Sequence, residues 1–410
     1  MKKTLAMVLA LILTLSITIS ASAATEITFW NGFTGSDGEV LAQIVNDFNA
    51  TNDKGIKVTM DVIPWANFHE KLPTAIATGT APELVLMGND AMMPYISTDS
   101  LLSLDDFFTA TGMDRAEFPD SVLDMFNVNG TQYMMPMQVN TLYLYWNKTL
   151  FREAGLDPET PPTTWDELYA MAKKLTNPGK NIYGFALPVS SVSVFLNEML
   201  SEGGAVVDDA TGKCVLNSEA NQKVFQQIQD AVQKDKISPL GTTGADFDNI
   251  LFAGQLAMYI NGPWCINGCN TNGLDYGVVK IPSGSAGRVY DMGGCGYGVT
   301  AGTSDEKKAA CYEFIKYWNS TAVCKKWSMV NGFPPYLASV KADPEIQANT
   351  LLTEMSSSLE FGKVYLKGNA NATTINNDVL FPMLERIMNG ADVKTELAQA
   401  QDAISMIIGQ

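Results

Sequence analysis

The sequence predicts an α/β fold with doubly wound sheets, and two observations predict it. Short apolar runs rich in β-forming residues alternate with segments in which apolar residues recur at helical spacing. The chain also has 410 residues, and even without its first 23 it exceeds what one hydrophobic core usually serves. We therefore expect two domains built on parallel strands and flanking helices.

The alternation assigns strands and helices in order along the chain. Strands are predicted at 27–30, 56–63, 84–87, 141–146, 182–187, 256–260 and 276–279. Helices are predicted at 40–48, 65–77, 194–200, 221–234, 304–318 and 321–329. Thr164 and Glu167 have the spacing of a capping box, so this motif predicts a helix start rather than a site. The glycine-rich stretch 283–298 predicts a segment that crosses between domains.

The first 23 residues predict a secretory signal peptide. Lys2 and Lys3 precede an apolar stretch over 5–19, and small residues at 21–23 form a cleavage site. The stretch is too short for a membrane-spanning helix, and no cysteine follows it to accept a lipid anchor. We therefore expect an exported protein without a lipoprotein anchor, either periplasmic or secreted.

The charge of the chain excludes some partners. The formal net charge is −17 and becomes −19 without Lys2 and Lys3, so the protein is not expected to bind nucleic acid or an anionic membrane. Its four arginines are scattered in sequence, although pockets for phosphate or carboxylate usually contain arginine. This favours a neutral ligand, but helix N-termini also bind anions, so an anionic ligand stays open.

The cysteine and histidine content predicts neither a metal nor a cofactor. Cys265 and Cys269 are close in sequence, but zinc sites need a second such pair or nearby histidines, and His69 is the only histidine. His69 is expected to be solvated or capping. All six cysteines could pair in an exported protein, with 15 possible connectivities.

The run 254–264 contains the most informative candidate binding residue. A predicted buried strand ends there in a Gly-Pro turn that holds Trp264 at its carboxyl end. In open α/β sheets ligands bind at that edge, and an indole ring suits the C–H face of a sugar. A core tryptophan after a turn is the alternative.

Several segments, in order, resemble the family 1 extracellular solute-binding proteins, the maltose-binding-protein-like, carbohydrate-binding components of bacterial ABC importers. The matching segments are 28–33, 79–84, 144–148, 154–156, 162–168, 257–264, 293–294, 313–315 and 331–334. The resemblance implies a two-lobe periplasmic-binding-protein fold, in which each lobe is a doubly wound sheet flanked by helices and crossing hinge strands join the lobes. It implies a first lobe of 25–138 plus 296–334 and a second lobe of 139–295 plus 335–410.

The resemblance also implies binding residues. Trp264 matches the aromatic platform, and Asn89 and Asp90 follow the third strand, where the family commonly has a polar or acidic residue. Asn140 lies where relatives place an acid, so the chain departs from that variant. The further candidates are Trp30, Asn31, Trp65, Gly294, Tyr297, Tyr336 and Asn377. Each aromatic candidate can instead belong to the core, and Asp90 can be a solvated loop residue.

The function implied by the resemblance is capture of a sugar or oligosaccharide between the lobes and its delivery to ABC permease subunits. The protein is then a monomer without catalytic residues. One alternative is a binding protein for glycerol-phosphate or another polar solute, since relatives with the same segment bind such solutes. A secreted glycoside hydrolase is the alternative from another class, but no paired-acid or Gly-x-Ser-x-Gly motif supports it.

Overall fold

The computed structural model describes residues 24–34, 36–189 and 191–409. The predicted signal peptide at 1–23 lies outside these residues. Within them, no helix combines the length and the apolar character needed to cross a membrane.

Strands and helices alternate through most of the described chain. The strands are β1 (Thr25–Asn31), β2 (Ile56–Val62), β3 (Leu84–Gly88), β4 (Asn127–Val128), β5 (Thr131–Gln132), β6 (Met134–Asn140), β7 (Tyr143–Asn147), β8 (Met258–Asn261), β9 (Tyr276–Lys280), β10 (Tyr290–Asp291), β11 (Gly293–Val299) and β12 (Gly362–Lys363). The helices of the first half are α1 (Ser36–Thr51), α2 (Trp65–Thr78), α3 (Met93–Ser97), α4 (Phe107–Thr111), α5 (Asp120–Asp124), α6 (Lys148–Glu153), α7 (Trp165–Leu175), α8 (Val192–Ser201) and α9 (Glu219–Gln233).

The second half of the chain is mostly helical. Its α-helices are α10 (Gly244–Phe252), α11 (Cys265–Thr271), α12 (Asp305–Trp318), α13 (Thr321–Asn331), α14 (Ala338–Lys341), α15 (Pro344–Ala348), α16 (Thr350–Ser357), α17 (Ala372–Thr374), α18 (Phe381–Met388) and α19 (Val393–Ile407). A π-helix, Ile375–Leu380, joins α17 to α18. Thr164 accepts from the Glu167 N–H and completes the predicted capping box of α7.

The first sheet has five strands in the order β2-β1-β3-β11-β6. β1 pairs in parallel with β2 and β3, whereas β11 runs antiparallel to its neighbours β3 and β6. Residues 84–87 of β3 are fully buried, as expected for a strand in the middle of a sheet that is covered on both faces. The carboxyl ends of β1 and β3 therefore lie at one edge of this sheet.

The second sheet differs from the predicted parallel arrangement. Its order is β8-β7-β9, and β7 runs antiparallel to both neighbours. β8 and β9, which α11 connects, therefore run in the same direction on either side of β7. The predicted strand at 182–187 is not formed; the region holds isolated bridges, such as that between Tyr183 and Leu256.

Two large hydrophobic clusters define two lobes. The first cluster draws its buried residues from 27–139 and 292–359, and the second from 144–290 and 375–404. Most buried residues of segment 337–359 therefore pack in the first lobe, although the sequence analysis assigned the segment to the second. The reason is long-range: the buried Tyr336 hydroxyl hydrogen-bonds the Pro136 carbonyl at 3.1 Å and holds the chain against the first sheet. Met355 instead belongs to a third cluster with Tyr143 and Tyr145.

Three segments cross between the lobes, at 140–143, 289–293 and 359–365. The last two pair with each other through β10 and β12. The Tyr143 hydroxyl ties the first crossing to the residues just before the third, because it donates to the Met355 carbonyl at 3.1 Å and accepts from Ser358 Oγ at 3.2 Å.

Candidate ligand-binding cleft

A cavity of about 650 Å³ lies between the two lobes, where the crossing segments meet. Its wall is formed by the residues after β1 and β3, the start of α2, the crossing segments and the turn after β8. Ligands of open α/β sheets bind at this carboxyl edge of the strands. The volume falls in the ordinary range for small-molecule sites.

A glycine makes room for the ring of Trp264. A Cβ atom at Gly262 would lie 2.1 Å from carbons of the Trp264 ring, so only glycine lets the ring pack over this backbone. The buried Tyr145 hydroxyl donates to the Gly262 carbonyl at 2.7 Å and fixes the turn. Half of Trp264 is exposed, and it lines the cleft. The second lobe therefore presents a positioned aromatic face.

The first lobe presents aromatic rings of its own. Trp65, at the start of α2, packs on Gly32, where a Cβ atom would lie 2.1 Å from the indole. Phe33 meets Trp65 edge-on with ring centroids 5.9 Å apart, and His69 stacks on it at 5.9 Å. All three side chains line the cleft. His69 is exposed, in agreement with the expected solvated histidine, and it stacks beside the site. Its spacing of four residues from Trp65 on one helix face is the signal that could have located it there.

Asn89 and Gly294 give the cleft its shape. The Asn89 N–H donates to the Gly294 carbonyl at 3.0 Å, and Asn89 Oδ1 accepts from the Gly294 N–H at 2.9 Å. A Cβ atom at Gly294 would lie 2.5 Å from the Gln138 carbonyl oxygen, so glycine is needed for the approach of β11 to β6. Both residues line the cleft. The two hydrogen bonds of Asn89 connect the end of β3 to β11.

Asp90 and Asn140 also line the cleft, from different elements. Asp90 is exposed just after β3, and a Cβ atom at Gly88 would lie 2.3 Å from its Oδ1. Asn140 is partly buried at the end of β6, where its Oδ1 accepts from Gln138 Nε2 at 3.2 Å. The structure therefore brings Trp264, Trp65, Asn89, Asp90, Asn140 and Gly294 to one cavity.

Two candidates near the end of β1 do not line the cleft. Trp30 packs partly buried against the first core, and its Nε1 donates to Asp61 on β2 at 3.1 Å. Asn31 is fully buried, and its Oδ1 accepts from the Phe33 N–H at 3.0 Å. Asn31 thus shapes the turn that brings Phe33 to the cleft.

Three further candidates also lie away from the cleft. Tyr297 and Tyr336 are buried in the core of the first lobe, where Tyr297 packs on Phe29 with ring centroids 5.6 Å apart. Asn377 is exposed on the π-helix, and its neighbour Asn376 lines the cleft instead. Adjacent helical residues point in different directions, so a shift of one residue changes which side chain reaches the cavity.

The cleft is acidic. Asp37, Asp90 and Asp291 line it, and no lysine or arginine does among the residues that the structure describes. Burial raises the pKa of the Cys295 thiol to about 12, and the carboxylates of Asp90 and Asp37 add to the shift. Sequence reasoning missed Asp37 and Asp291. Asp37 lies in the first turn of α1, the helix that follows β1, and this position could have indicated it.

Two α/β lobes joined by three crossing segments around a cleft define a two-lobe binding protein. The chain belongs to the family described as bacterial extracellular solute-binding protein, whose model matches residues 43–354. This confirms the resemblance found in the sequence.

Individual relatives agree with this assignment. The chain is 24% identical over 340 residues to the sn-glycerol-3-phosphate-binding periplasmic protein UgpB of Rhizobium meliloti (strain 1021), covering 77% of this chain and 76% of that protein. Among solved structures, UgpB from Mycobacterium tuberculosis in complex with glycerophosphocholine is similar, with a TM-score of 0.85, 20% identity and coverage of 94% and 99%. Maltose-bound MalE3 of T. maritima gives a TM-score of 0.81, 24% identity and coverage of 94% and 100%. The predicted two-lobe α/β fold is confirmed.

Proposed function

We propose that this protein captures a sugar or oligosaccharide between its lobes and delivers it to the permease subunits of an ABC importer. One observation carries the proposal: aromatic faces come from both lobes, Trp264 from one and Trp65 with Phe33 from the other. Sugar rings place C–H faces on aromatic rings and donate their hydroxyls to carboxylates. The cleft offers both kinds of group in one cavity.

A binding protein for glycerol-phosphate or a similar polar solute is the second candidate. The name of the Rhizobium meliloti relative favours it, and the α1 N-terminus near the cleft can bind an anion. However, Asp37 already lies in that first turn, and the described wall contains three aspartates without a lysine or arginine. A phosphate would meet repulsion there, so a sugar is preferred.

We further infer that the protein binds its solute without turnover. A binder needs complementarity only to the ground state, whereas an enzyme must favour the transition state. The Rhizobium meliloti relative carries the name of a binding protein. Incubation with the best saccharide followed by chromatography checks this, since products that increase with protein concentration would identify a hydrolase.

The remaining parts of the proposal concern organisation. We propose an exported monomer without a lipid anchor. Its first lobe comprises 25–139 and 292–359, and its second lobe comprises 143–290 and 365–409, as the two cores suggest. Mass measurement of the mature protein tests the predicted cleavage after residue 23.

A thermal-shift panel tests the choice of solute. The panel contains maltose, maltotriose, cellobiose, galactose and sn-glycerol-3-phosphate. A solute at 100 times its dissociation constant stabilises the fold by about 2.7 kcal/mol, which is readily detected. Stabilisation by a saccharide supports the proposal, stabilisation by the phosphorylated polyol alone supports the second candidate, and stabilisation by neither contradicts both for these solutes.

A further inference from the structure

The loop that follows α13 contacts the turn that carries Trp264. Gly332 ends α13 with φ +75°, and a Cβ atom there would lie 3.0 Å from Ile266 Cδ1 and 3.8 Å from the Pro263 carbonyl oxygen. Gly332 belongs to the first lobe, whereas Pro263 and Ile266 belong to the second. The contact lies beside the cleft, because Phe333, which follows Gly332 in sequence, and Trp264, which follows Pro263, both line the cleft.

Gly332 therefore meets two requirements. Its positive φ is a conformation that residues with a Cβ atom adopt only at a cost. Its lack of a side chain also lets the second lobe approach. Only the second requirement concerns the relation between the lobes.

Asn331 provides an independent observation at the same corner. Its Nδ2 atom is buried and has no hydrogen-bond partner in the part of the chain that the structure describes. A buried donor left unpaired is costly, and native proteins rarely keep one without a reason. A further movement of the second-lobe turn could supply an acceptor, because the Pro263 carbonyl oxygen lies 3.8 Å from the position of a Cβ atom on the adjacent Gly332.

The corner is also connected to the crossing segments. Phe333 stacks on Trp327 with ring centroids 5.8 Å apart, and Trp327 Nε1 donates to Gln138 Oε1 at 3.2 Å. Gln138 lies on β6, just before the first crossing. The corner is therefore held rigidly with respect to the first lobe.

We propose that residues 331–333, the α13 corner, form the seat on which the Trp264 turn rests when the lobes close over a solute. Gly332 makes room for Pro263 and Ile266, and Asn331 Nδ2 donates to a backbone carbonyl of that turn. Both are positioning residues, because they act through the turn rather than on the solute. The seat holds Trp264 against the bound solute and thereby slows release of the solute. This inference rests on the proposed function, which it deepens.

The main test compares Gly332→Ala with Gly79→Ala. Gly79 ends α2 with φ +68°, and a Cβ atom there meets nothing within 4 Å. Both variants suffer backbone strain, but only Gly332→Ala crowds the second lobe. Stopped-flow fluorescence follows release of maltotriose, or of whichever panel saccharide stabilises the protein most. We expect release from Gly332→Ala to be about tenfold faster than from Gly79→Ala, with a smaller change in the association rate.

A second comparison removes the donor. Asn331→Asp keeps the shape but replaces Nδ2 by an acceptor oxygen, while Asn46→Asp adds the same charge at an exposed position on α1. We expect faster saccharide release from Asn331→Asp only.

A readout without solute separates this inference from the proposed function. Amide hydrogen exchange of segment 262–271 is measured in the free variants, and it is expected to be faster in Gly332→Ala than in Gly79→Ala. Equal exchange and equal release rates in the paired variants would overturn the seat while leaving saccharide capture intact. If no panel solute binds the wild-type protein, the proposed function fails, and the exchange comparison alone decides whether the two lobes meet at this corner.

Discussion

At the scale of single residues, glycines determine which side chains reach the cleft. Gly262 lies under Trp264, Gly32 lies against Trp65, and Gly88 leaves room for Asp90. A Cβ atom at any of the three would lie within 2.5 Å of the side chain that the glycine accommodates. The Gly-Pro-Trp turn is visible in the sequence because its members are adjacent. The contact between Gly32 and Trp65 is not, because it joins two separate elements.

Replacement of Trp264 by alanine tests the aromatic platform. We expect saccharide binding to weaken by about 2 to 4 kcal/mol, since stacking and buried area are lost together. Stability should change little, because half of the ring is already exposed. Calorimetric titration measures the affinity, with Trp30→Ala as the control because Trp30 does not line the cleft. Equal affinity of the Trp264 variant and the wild type would show that the ring is not a platform.

Replacement of Asp90 by asparagine tests the carboxylate. The change keeps the shape but turns one acceptor into a donor, so we expect a loss of about 1 to 3 kcal/mol in saccharide binding. Asp402→Asn removes the same charge at an exposed position on α19 and serves as the control. If both variants bind equally well, Asp90 is a solvated loop residue.

At the scale of elements, local signals were predictable and long-range ones were not. The capping box of Thr164 and Glu167 forms as predicted, because both partners lie in one helical turn. The sequence analysis placed the third crossing between the lobes at 334–335 rather than at 359–365, because its position depends on Tyr336 reaching the Pro136 carbonyl across 200 residues. Asp291 was missed for a similar reason, since its place in the cleft follows from the pairing of β10 with β12.

Helix α8 carries a buried carboxyl group that makes stability depend on pH. Glu198 accepts from the Tyr169 hydroxyl at 2.8 Å, and burial raises its pKa from 4.5 to about 8, with the charges of Glu202 and Asp166 adding to the shift. Between pH 4.5 and about pH 8, Glu198 keeps a proton in the folded protein that it has lost in the unfolded chain. The free energy of unfolding should therefore fall as pH rises, by up to about 1.4 kcal/mol per pH unit from this group.

Urea denaturation between pH 5.5 and 8.5 measures how steeply the free energy of unfolding falls with pH. Glu198→Gln is expected to flatten it and to stabilise the protein most at the alkaline end, because the amide has no proton to lose. Glu219→Gln, at an exposed position on α9, should keep the wild-type slope. A slope that Glu198→Gln leaves unchanged would rule out this group as its source.

At the scale of the whole molecule, different parts of the sequence determine the fold and the choice of solute. The solved relatives share only 20% and 24% identity with this chain, yet their TM-scores exceed 0.8. The apolar periodicity that forms the two cores is enough to retain the fold. The solute depends on the few side chains in the cleft, because function resides in a site and not in the fold that carries it.

Closure of the two lobes follows from the placement of the binding groups. Asp90 and Trp65 belong to the first lobe and Trp264 to the second, so a solute that contacts all three binds the closed state better than the open one. A solute shifts an equilibrium only by such a difference in affinity. The crossings at 140–143, 289–293 and 359–365 are the segments that must bend.

Small-angle X-ray scattering with and without saturating saccharide tests this central claim most directly. Saturation is first established by calorimetry on the same sample, so that an unchanged curve cannot be attributed to empty protein. We predict a smaller radius of gyration in the loaded protein, because the lobes close over the solute. An unchanged radius of gyration in the saturated protein would mean a preformed pocket or a site within one lobe, and it would contradict capture between two moving lobes.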